Sequence, residues 1–449
     1  KTALSNSVLL TDLYELTMLQ AYHELGMNQE AVFSLFVRKL PEHRNYLLAC
    51  GLDDVLTHLE NLHFTRPQLD YLNSLELFKD DFLHWLEDFT FSGEIMAMPE
   101  GTPFFAKEPL LEIKAPIGEA QLIETFVLNQ IHYQTLIASK AHRVVQTAED
   151  RTVFDFGLRR IHGTDAGMKA ARSFYIAGGQ ATSNTLAGSV YNIPVSGTMA
   201  HSFIQAHDDE LQAFRDFTRI YPRTILLIDT YDPLAGVDKI ISLAREMGES
   251  FDLQGVRIDS SDLIALSTAI RKRLDAAGLF KIKIFASGSL DEYAIKTMIK
   301  KKAPIDGFGV GTKMGVSADV PYLDMVYKLT TYEGKGRIKK STGKETLPCQ
   351  KQTFRLENQG KYDYDVLAAA QETLTGRPLL RQVMRHGKRL PEGRENLARI
   401  RERVFSETAK LPPDLLQLPP SPAPYPVHTS SYLLQELDAL QQELSLRAS

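Results

Sequence analysis

Two spacings of hydrophobic residues alternate over the first part of this chain. Apolar residues three to four positions apart indicate helices, and strict alternation of apolar and polar residues indicates strands. We predict helices over residues 9–25, 52–86 and 119–147, and strands over 31–38, 91–98 and 103–113, the last two flanking the turn Pro99–Gly101. Residues 1–130 are therefore predicted to form an α+β domain.

Beyond residue 150, short apolar runs recur at steps of roughly thirty residues, with helical patterns between them. The predicted strands are Thr152–Phe156, Ile193–Ser196, Thr224–Asp229, Gly255–Asp259, Ile282–Ala286 and Ile305–Val310. Repeated strand–helix units of this length give parallel strands with helices outside, in an open doubly wound sheet or a closed barrel. Consecutive strand order and polar residues at most strand ends favour a TIM-like α/β barrel over residues 131–324.

The last part of the chain changes pattern again. Lys328–Tyr332, the turn Gly334–Gly336 and Lys351–Leu356 predict antiparallel strands, so residues 325–410 are expected to return to the first domain. Residues 411–449 are predicted to form a proline-rich tail followed by a terminal helix over Tyr432–Leu446.

Charge and composition exclude several classes of partner. The 449 residues carry 51 Lys and Arg against 56 Asp and Glu, a net charge of −5, which offers no attraction to nucleic acid or anionic membrane. No apolar run approaches the roughly 18 residues of a membrane span. Cys50 and Cys349 have no metal-ligand spacing. We therefore expect a soluble cytoplasmic protein with no nucleic-acid or membrane partner, and any anion site must be local.

Polar clusters follow four of the predicted strands. They are Gly157–Arg160, Ser196–His201, Asp229–Asp232 and Arg257–Ser260. In a barrel all four would meet at the carboxyl-terminal face, where active sites lie. The turns Ser287-Gly288-Ser289 and Gly307–Thr312, the latter with Gly309, Gly311 and Thr312, allow close backbone approach to an anion. They predict a phosphate site, the alternative being that the glycines only serve tight turns.

Each of these polar side chains also has a structural interpretation. His201 can transfer a proton or a phosphoryl group, or it can be a structural histidine. Of Arg159 and Arg160, one can pair at the rim while the other binds an anion. Asp229 and Asp259 can hold Mg²⁺, accept sugar hydroxyls or pair with arginines. Arg257 is expected to point inward, where its guanidinium needs a carboxylate or phosphate, which a substrate can supply.

These motifs together resemble the nicotinate phosphoribosyltransferase family, from Thr11 to about Arg355. The signatures are Thr11-Asp12-Leu13-Tyr14, Phe156-Gly157-Leu158-Arg159-Arg160, Ser196 to Phe203, Asp229-Thr230-Tyr231, Arg257-Ile258-Asp259-Ser260 and Gly309-Val310-Gly311-Thr312. The resemblance implies a type II phosphoribosyltransferase with an irregular α/β barrel and an N-terminal α+β domain, usually a homodimer with shared active sites. It implies the joining of nicotinate to 5-phosphoribosyl-1-pyrophosphate, coupled to ATP hydrolysis, in NAD salvage.

The resemblance also implies roles for individual residues. His201 matches the histidine that ATP phosphorylates, Tyr14 and Thr198 match nicotinate contacts, Arg257 matches the cation facing the nicotinate carboxylate, and Thr312 matches a sugar-phosphate contact. Together with these we predict a phosphate role for Ser287, Gly288, Gly309 and Gly311. Arg159, Arg160 and Mg²⁺ would neutralise the leaving pyrophosphate, and Asp229 and Asp259 are the candidate Mg²⁺ ligands, Asp229 being also a candidate catalytic residue.

Three positions depart from the family pattern, and two other functions stay open. Ser261 and Cys349 stand where glycine is usual, and Ser289 where an acidic residue is common, which bears on the geometry of the phosphate loops. A nicotinamide phosphoribosyltransferase would share the fold, but a neutral amide gains little from a buried Arg257. A non-catalytic barrel that binds a phosphorylated metabolite is the other alternative, against which the joint presence of His201 and the arginines argues.

Overall fold

The structure is a computed structural model that describes residues 7–259, 262–339 and 346–448. Ser260 and Ser261, both named in the motif comparison, lie outside the described residues. The chain divides into two compact units, the first formed by Lys1–Ser139 with Val320–Ser449 and the second by Lys140–Asp319. No helix of the described part is long and apolar enough to cross a membrane.

The N-terminal segment mixes helices with short strands. It contains α1 (Leu13–Glu24), β1 (Glu30–Val37), β2 (Leu47–Leu48), α2 (Leu52–Glu60), α3 (Arg66–Ser74), α4 (Asp80–Leu86), β3 (Glu94–Ala97), β4 (Pro103–Phe104), β5 (Pro109–Pro116), α5 (Ile117–Leu122) and α6 (Glu124–Thr147). The single helix predicted over 52–86 is three helices, because Thr65 and Gln68 form a capping box that starts α3 anew, with a proline in its first turn. The strand predicted over 103–113 is also divided, at a turn where Lys107 has a φ of 70°.

The central segment alternates strands and helices. It contains β6 (Thr152–Asp155), α7 (Thr164–Ile176), β7 (Ala181–Thr182), α8 (Thr185–Tyr191), α9 (His201–Gln205), α10 (Glu210–Ile220), β8 (Ile225–Leu227), α11 (Pro233–Met247), β9 (Gly255–Ile258), α12 (Leu263–Ala276), β10 (Lys283–Ser287), α13 (Glu292–Lys300), β11 (Gly307–Val310) and α14 (Thr312–Gly315). Asp209, Asp232, Asp262 and Asp291 each cap the helix that follows them by accepting backbone N–H bonds.

The parallel strands predicted for this segment are confirmed, and their closure into a TIM-like barrel is not. In the described residues β6 to β11 form one parallel sheet in the order β7-β6-β11-β10-β9-β8, with no pairing between β7 and β8. The strand predicted over Ile193–Ser196 supplies only a bridge from Val195 to Thr182. All carboxyl ends of the sheet lie at one edge, as parallel pairing requires.

The C-terminal segment is mainly antiparallel. It contains β12 (Met325–Tyr332), β13 (Lys335–Gly336), β14 (Lys351–Asn358), β15 (Lys361–Ala369), β16 (Arg377–Pro378), β17 (Arg381–Arg385), β18 (Lys388–Arg389), α15 (Leu397–Thr408), β19 (Val427–Thr429) and α16 (Ser431–Ala448). In the first unit these strands complete a sheet of order β13-β12-β1-β5-β3-β17-β18, while β14 and β15 form a second sheet with β16 and β19. The first unit is thus an α+β structure built from both ends of the chain.

Glu15 is a carboxyl group in the core of the first unit. It is fully buried on α1, and its Oε2 accepts a hydrogen bond of 2.8 Å from Gln121 Nε2. Burial raises its pKa from 4.5 to about 7. In this pH interval the folded protein therefore holds a proton that the unfolded chain has released, so stability falls as the pH rises.

We expect Glu15→Gln to remove this pH dependence, since the amide does not titrate. Between pH 5 and 7.5 the wild-type free energy of unfolding should fall by about 2 kcal/mol more than that of the variant. Urea unfolding at the two pH values measures the difference, with Glu42→Gln at an exposed position as the control. Equal pH profiles for wild type and Glu15→Gln would contradict the prediction.

Candidate active site

A cavity of about 720 Å³ opens in the second unit, at residues that follow its parallel strands. Its walls include eleven of the residues predicted from sequence, namely Arg159, Arg160, Thr198, His201, Arg257, Asp259, Ser287, Gly288, Gly309, Gly311 and Thr312. They come from the turn after β6, from the carboxyl-terminal ends of β9, β10 and β11 and the turns that follow them, and from the segment that leads into α9. Parallel pairing brings these separate stretches of sequence to one edge of the sheet.

Two predicted residues are not part of this wall. Tyr14 lies in the first unit, near the start of α1, with 48% of its surface exposed. Asp229 is buried, and its Oδ2 accepts a bond of 2.7 Å from the backbone N–H of Asp259. Asp229 therefore supports Asp259, which itself lines the cavity.

Arg257 projects from β9 into a network of acceptors. Its Nη2 donates to the carbonyl oxygen of Met199 at 2.7 Å, and its Nη1 donates to Ser287 Oγ at 3.1 Å and lies 3.5 Å from Asp259 Oδ1. Burial lowers its pKa, while the charges of Asp259 and Asp229 act in the opposite direction. The inward direction expected from strand parity is observed.

One donor of Arg257 is unpaired. Its Nε is buried and has no hydrogen-bond partner in the described part of the chain. The guanidinium carbon lies 6.0 Å from the ring centroid of Phe156, which also lines the cavity. A flat aromatic anion entering here would meet both a cation and an aromatic face.

His201 is the first residue of α9 and is half-buried. Its Nδ1 lies 3.0 Å from Thr230 Oγ1, in the loop after β8. Its Nε2 has no hydrogen-bond partner among the described residues. One ring nitrogen is thus oriented by Thr230 while the other is available to react, which is the arrangement that a nucleophilic histidine needs.

The glycine turns are shaped by close backbone contacts. Gly288 has a φ of +95°, and a Cβ at this position would lie 2.0 Å from the carbonyl oxygen of Asp259. A Cβ on Gly309 would lie 2.5 Å from the ring of Phe156. Both positions require glycine for packing, as the tight-turn interpretation expects, and both also bring bare backbone to the cavity wall. The phosphate role of these turns stays a prediction.

Sequence reasoning missed several residues of this site. Ser183, Leu227 and Leu263 line the cavity, and Thr230 orients His201. Asp155, at the end of β6, is 1% exposed and is bound to groups in two loops of the site. The sequence signal for Asp155 was its place inside the apolar run Thr152–Phe156, because a buried carboxylate costs free energy unless it is hydrogen-bonded or paired.

The described residues contain no group of three or more His, Cys, Asp or Glu that could hold a metal ion. Asp259 borders the cavity with its carboxylate 36% exposed, while Asp229 lies beneath it. Mg²⁺ is commonly held by one or two carboxylates together with substrate phosphates. Asp259 fits such a partial site, in which most ligands would come from the substrate and water.

Sequence comparison identifies relatives of this chain. Residues 9–132 match the nicotinate phosphoribosyltransferase N-terminal domain, and residues 372–437 match the C-terminal domain of the same family. A nicotinate phosphoribosyltransferase of Mycobacterium tuberculosis is 50% identical over 433 residues, covering 96% of this chain and 94% of the relative. One of Bacillus subtilis is 40% identical over 381 residues, covering 83% and 78%.

Structural comparison agrees with the sequence families. The crystal structure of human nicotinic acid phosphoribosyltransferase superposes with a TM-score of 0.87 at 28% identity, over 96% of this chain and 99% of the human chain. The bacterial relative and the human structure therefore each match nearly the whole length of this chain.

Proposed function

The chain belongs to the nicotinate phosphoribosyltransferase family, and from this premise we propose that it joins nicotinate to 5-phosphoribosyl-1-pyrophosphate, giving nicotinate mononucleotide and pyrophosphate in NAD salvage. The observation that carries the proposal is the cavity that Arg257 lines together with His201, two further arginines and two glycine turns. A largely buried guanidinium at the cavity wall favours a carboxylate substrate over the neutral amide of nicotinamide.

In the proposed reaction the pyridine nitrogen attacks the anomeric carbon of the ribose as the bond to pyrophosphate breaks. Arg257 holds the nicotinate carboxylate, with Thr198 and Tyr14 as further nicotinate contacts, and Phe156 offers its ring to the pyridine. The turns with Gly288 and Gly311, together with Ser287, Gly309 and Thr312, bind the 5′-phosphate. This arrangement aligns nucleophile and electrophile before reaction, which lowers the entropic part of the activation barrier.

Charge accumulates on the leaving pyrophosphate as the bond breaks. Arg159 and Arg160 lie at the cavity wall and would stabilise that charge. When Mg²⁺ is bound with the substrate phosphates, it neutralises part of the same charge. Asp259 would hold the ion, and Asp229 would keep the backbone of Asp259 in place.

Assays with purified protein, 5-phosphoribosyl-1-pyrophosphate and Mg²⁺ test the function. Nicotinate, nicotinamide and quinolinate are supplied in parallel, each with and without ATP, and the mononucleotide is measured by chromatography. We expect turnover of nicotinate, increased by ATP. Turnover of nicotinamide alone would reassign the partner of Arg257, and no turnover of any base would favour the alternative of a non-catalytic binding protein.

ATP coupling is proposed to proceed through His201. A ring nitrogen would attack the γ-phosphorus of ATP and release ADP, and water would later cleave the N–P bond to give phosphate. We expect an acid-labile, alkali-stable adduct of one phosphoryl group on His201 after incubation with ATP and Mg²⁺. Mass spectrometry under alkaline conditions detects it.

His201→Asn should lose the adduct and the stimulation by ATP but keep slow ATP-independent transfer, because Arg257 and the phosphate loops remain. His207→Asn is the matched control, since His207 follows the same helix and does not line the cavity. Its Nδ1 lies 2.8 Å from the Phe203 carbonyl oxygen and its Nε2 3.7 Å from Asp216 Oδ2. An adduct that persists in His201→Asn would refute the assignment.

A homodimer with shared active sites is part of the same proposal. Apolar side chains are exposed at the start of the first unit, at Leu10, Leu13 and Tyr14, and in the second unit at Leu186, Val190 and Val195. Such surfaces are typical of interfaces between subunits. A molar mass near twice 50.4 kDa by light scattering is expected. Free thiols at Cys50 and Cys349 suit the proposed cytoplasmic location.

A further inference from the structure

Asp155 is a buried carboxylate that the proposed reaction does not use directly. It is the last residue of β6 and is 1% exposed. No Lys, Arg or His forms an ion pair with it in the part of the chain that the structure describes. Burial raises its pKa, which two hydrogen bonds to its oxygens partly oppose.

Each oxygen of Asp155 binds a different loop. Oδ1 accepts the backbone N–H of Gly157 at 2.8 Å, and Oδ2 accepts the hydroxyl of Thr182 at 2.7 Å. The carbonyl oxygen of Asp155 also accepts the N–H of Ser183 at 2.8 Å. One residue therefore fixes the chain after β6 and the chain after β7 to each other.

Both of these loops lead into the cavity. Gly157 starts the short 3₁₀ turn Leu158–Arg160, in which the N–H of Arg160 donates to the carbonyl oxygen of Gly157 at 2.9 Å. Arg159 and Arg160 reach the cavity wall from this turn, and Ser183 reaches it from the other loop. The side chains of both arginines are exposed, so the backbone of the turn must set their direction.

We propose that Asp155 is a positioning residue that holds the Arg159–Arg160 turn against the pyrophosphate end of the phosphoribosyl substrate. The inference rests on the proposed function, because it needs the two arginines to bind that pyrophosphate. A carboxylate suits the task because it accepts from both loops at once and donates to neither. The Thr182 hydroxyl extends the link by accepting the N–H of Asn184 at 3.1 Å.

Three substitutions distinguish the two side-chain hydrogen bonds of Asp155, and a fourth serves as a control. Asp155→Ala removes both, Thr182→Val removes only the second, and Thr182→Ser keeps the hydroxyl. Asp150→Asn is the control, because Asp150 lies on the amino-terminal side of β6 with its side chain exposed. Melting temperature is measured for each variant to separate loss of fold from loss of position.

Calorimetric binding of 5-phosphoribosyl-1-pyrophosphate and the KM of each substrate are the readouts. We expect Asp155→Ala to weaken phosphoribosyl-pyrophosphate binding about ten- to a hundredfold, the range for a lost hydrogen bond to a charged group. Thr182→Val should weaken it less, Thr182→Ser should restore it, and the KM for nicotinate should change little, since Arg257 lies on another strand.

Unchanged binding of 5-phosphoribosyl-1-pyrophosphate in both Asp155→Ala and Thr182→Val would overturn the inference. An equal loss of affinity for both substrates, together with a lowered melting temperature, would also overturn it. Where Asp155→Ala does not fold, the contrast between Thr182→Val and Thr182→Ser decides. A wild-type protein that does not bind 5-phosphoribosyl-1-pyrophosphate would overturn the proposed function and this inference together, whereas wild-type binding with unaffected variants overturns only the inference.

Discussion

Replacing Arg355 with methionine is expected to lower the free energy of unfolding by about 3–5 kcal/mol, because it leaves a buried carboxylate without its cation. The Arg355 side chain, on β14, is fully buried. Its Nε and Nη2 donate to Asp365 at 2.9 and 2.6 Å, and its Nη1 donates to the carbonyl oxygen of Pro103 at 2.8 Å. The ring of Tyr362 lies 4.8 Å from the guanidinium carbon.

Glu108 is a second carboxyl group beside Arg355. Burial and the neighbouring Asp365 raise the pKa of Glu108 well above its usual value, which favours the neutral form of Glu108. The hydroxyl of Tyr425 also donates to Asp365, at 3.0 Å. Asp365 is therefore the carboxylate that Arg355 bonds directly, and removal of either partner leaves the other buried without it.

Urea unfolding of Arg355→Met measures the effect, with Arg381→Met, at an exposed position on β17, as the matched control. Asp365→Asn should also destabilise the protein, because it leaves the Arg355 cation unpaired. The double variant Arg355→Met with Asp365→Asn should recover part of the loss. A change in Arg355→Met no larger than that in Arg381→Met would show that the ion pair does not matter for stability.

Arg257→Met is expected to lower kcat/KM for nicotinate by about a hundredfold or more, the range for truncation of one partner in a buried charged contact. Methionine fills a similar volume but cannot face the carboxylate. The loss for nicotinamide should be much smaller, because an amide carries no charge for the guanidinium to pair with. Steady-state kinetics with each base measure both effects.

Arg223→Met is a suitable control, because Arg223 is exposed and pairs only with Asp252 at 3.6 Å. Arg257 also donates to the Met199 carbonyl, so the melting temperature of the variant must be compared with that of wild type. A folded Arg257→Met variant that uses nicotinate as well as wild type does would remove the carboxylate contact from the proposed mechanism.

Sequence patterns located this site well where polar residues directly follow an apolar strand. Arg257 and Gly288 reach the cavity because strand ends of a parallel sheet share one edge, whereas His201 reaches it from the start of α9. Asp229 was less predictable, since its carboxylate turns to the backbone of Asp259, a contact across strands that leaves no mark in the sequence. Asp155 was missed although it interrupts an apolar run, because apolar spacing alone does not show that its carboxylate bonds the nearby Gly157 N–H and, across strands, the Thr182 hydroxyl.

Some boundaries of helices and strands are set by local sequence signals, and others only by tertiary pairing. The long helical pattern over 52–86 is correct in periodicity but hides the new helix start at Thr65, a local signal that apolar spacing alone overlooks. β7 has only two residues, Ala181 and Thr182, too few to produce any periodicity. β7 is defined instead by its pairing with β6, which the two residues of β7 alone do not indicate.

The pairing of β1 with β12 joins Ala31 to Tyr332 and so bridges some three hundred residues of chain. During synthesis, β1 and β5 can pair early, but the other edge of β1 waits until the entire central unit has been made. Contacts of such long range slow folding, and an open strand edge is a site for wrong pairing while it waits. Because β12 is synthesised after the central unit, the central unit can fold before the sheet of the first unit is complete. The yield of native protein then depends on how well the open edge of β1 is protected from wrong pairing until β12 arrives.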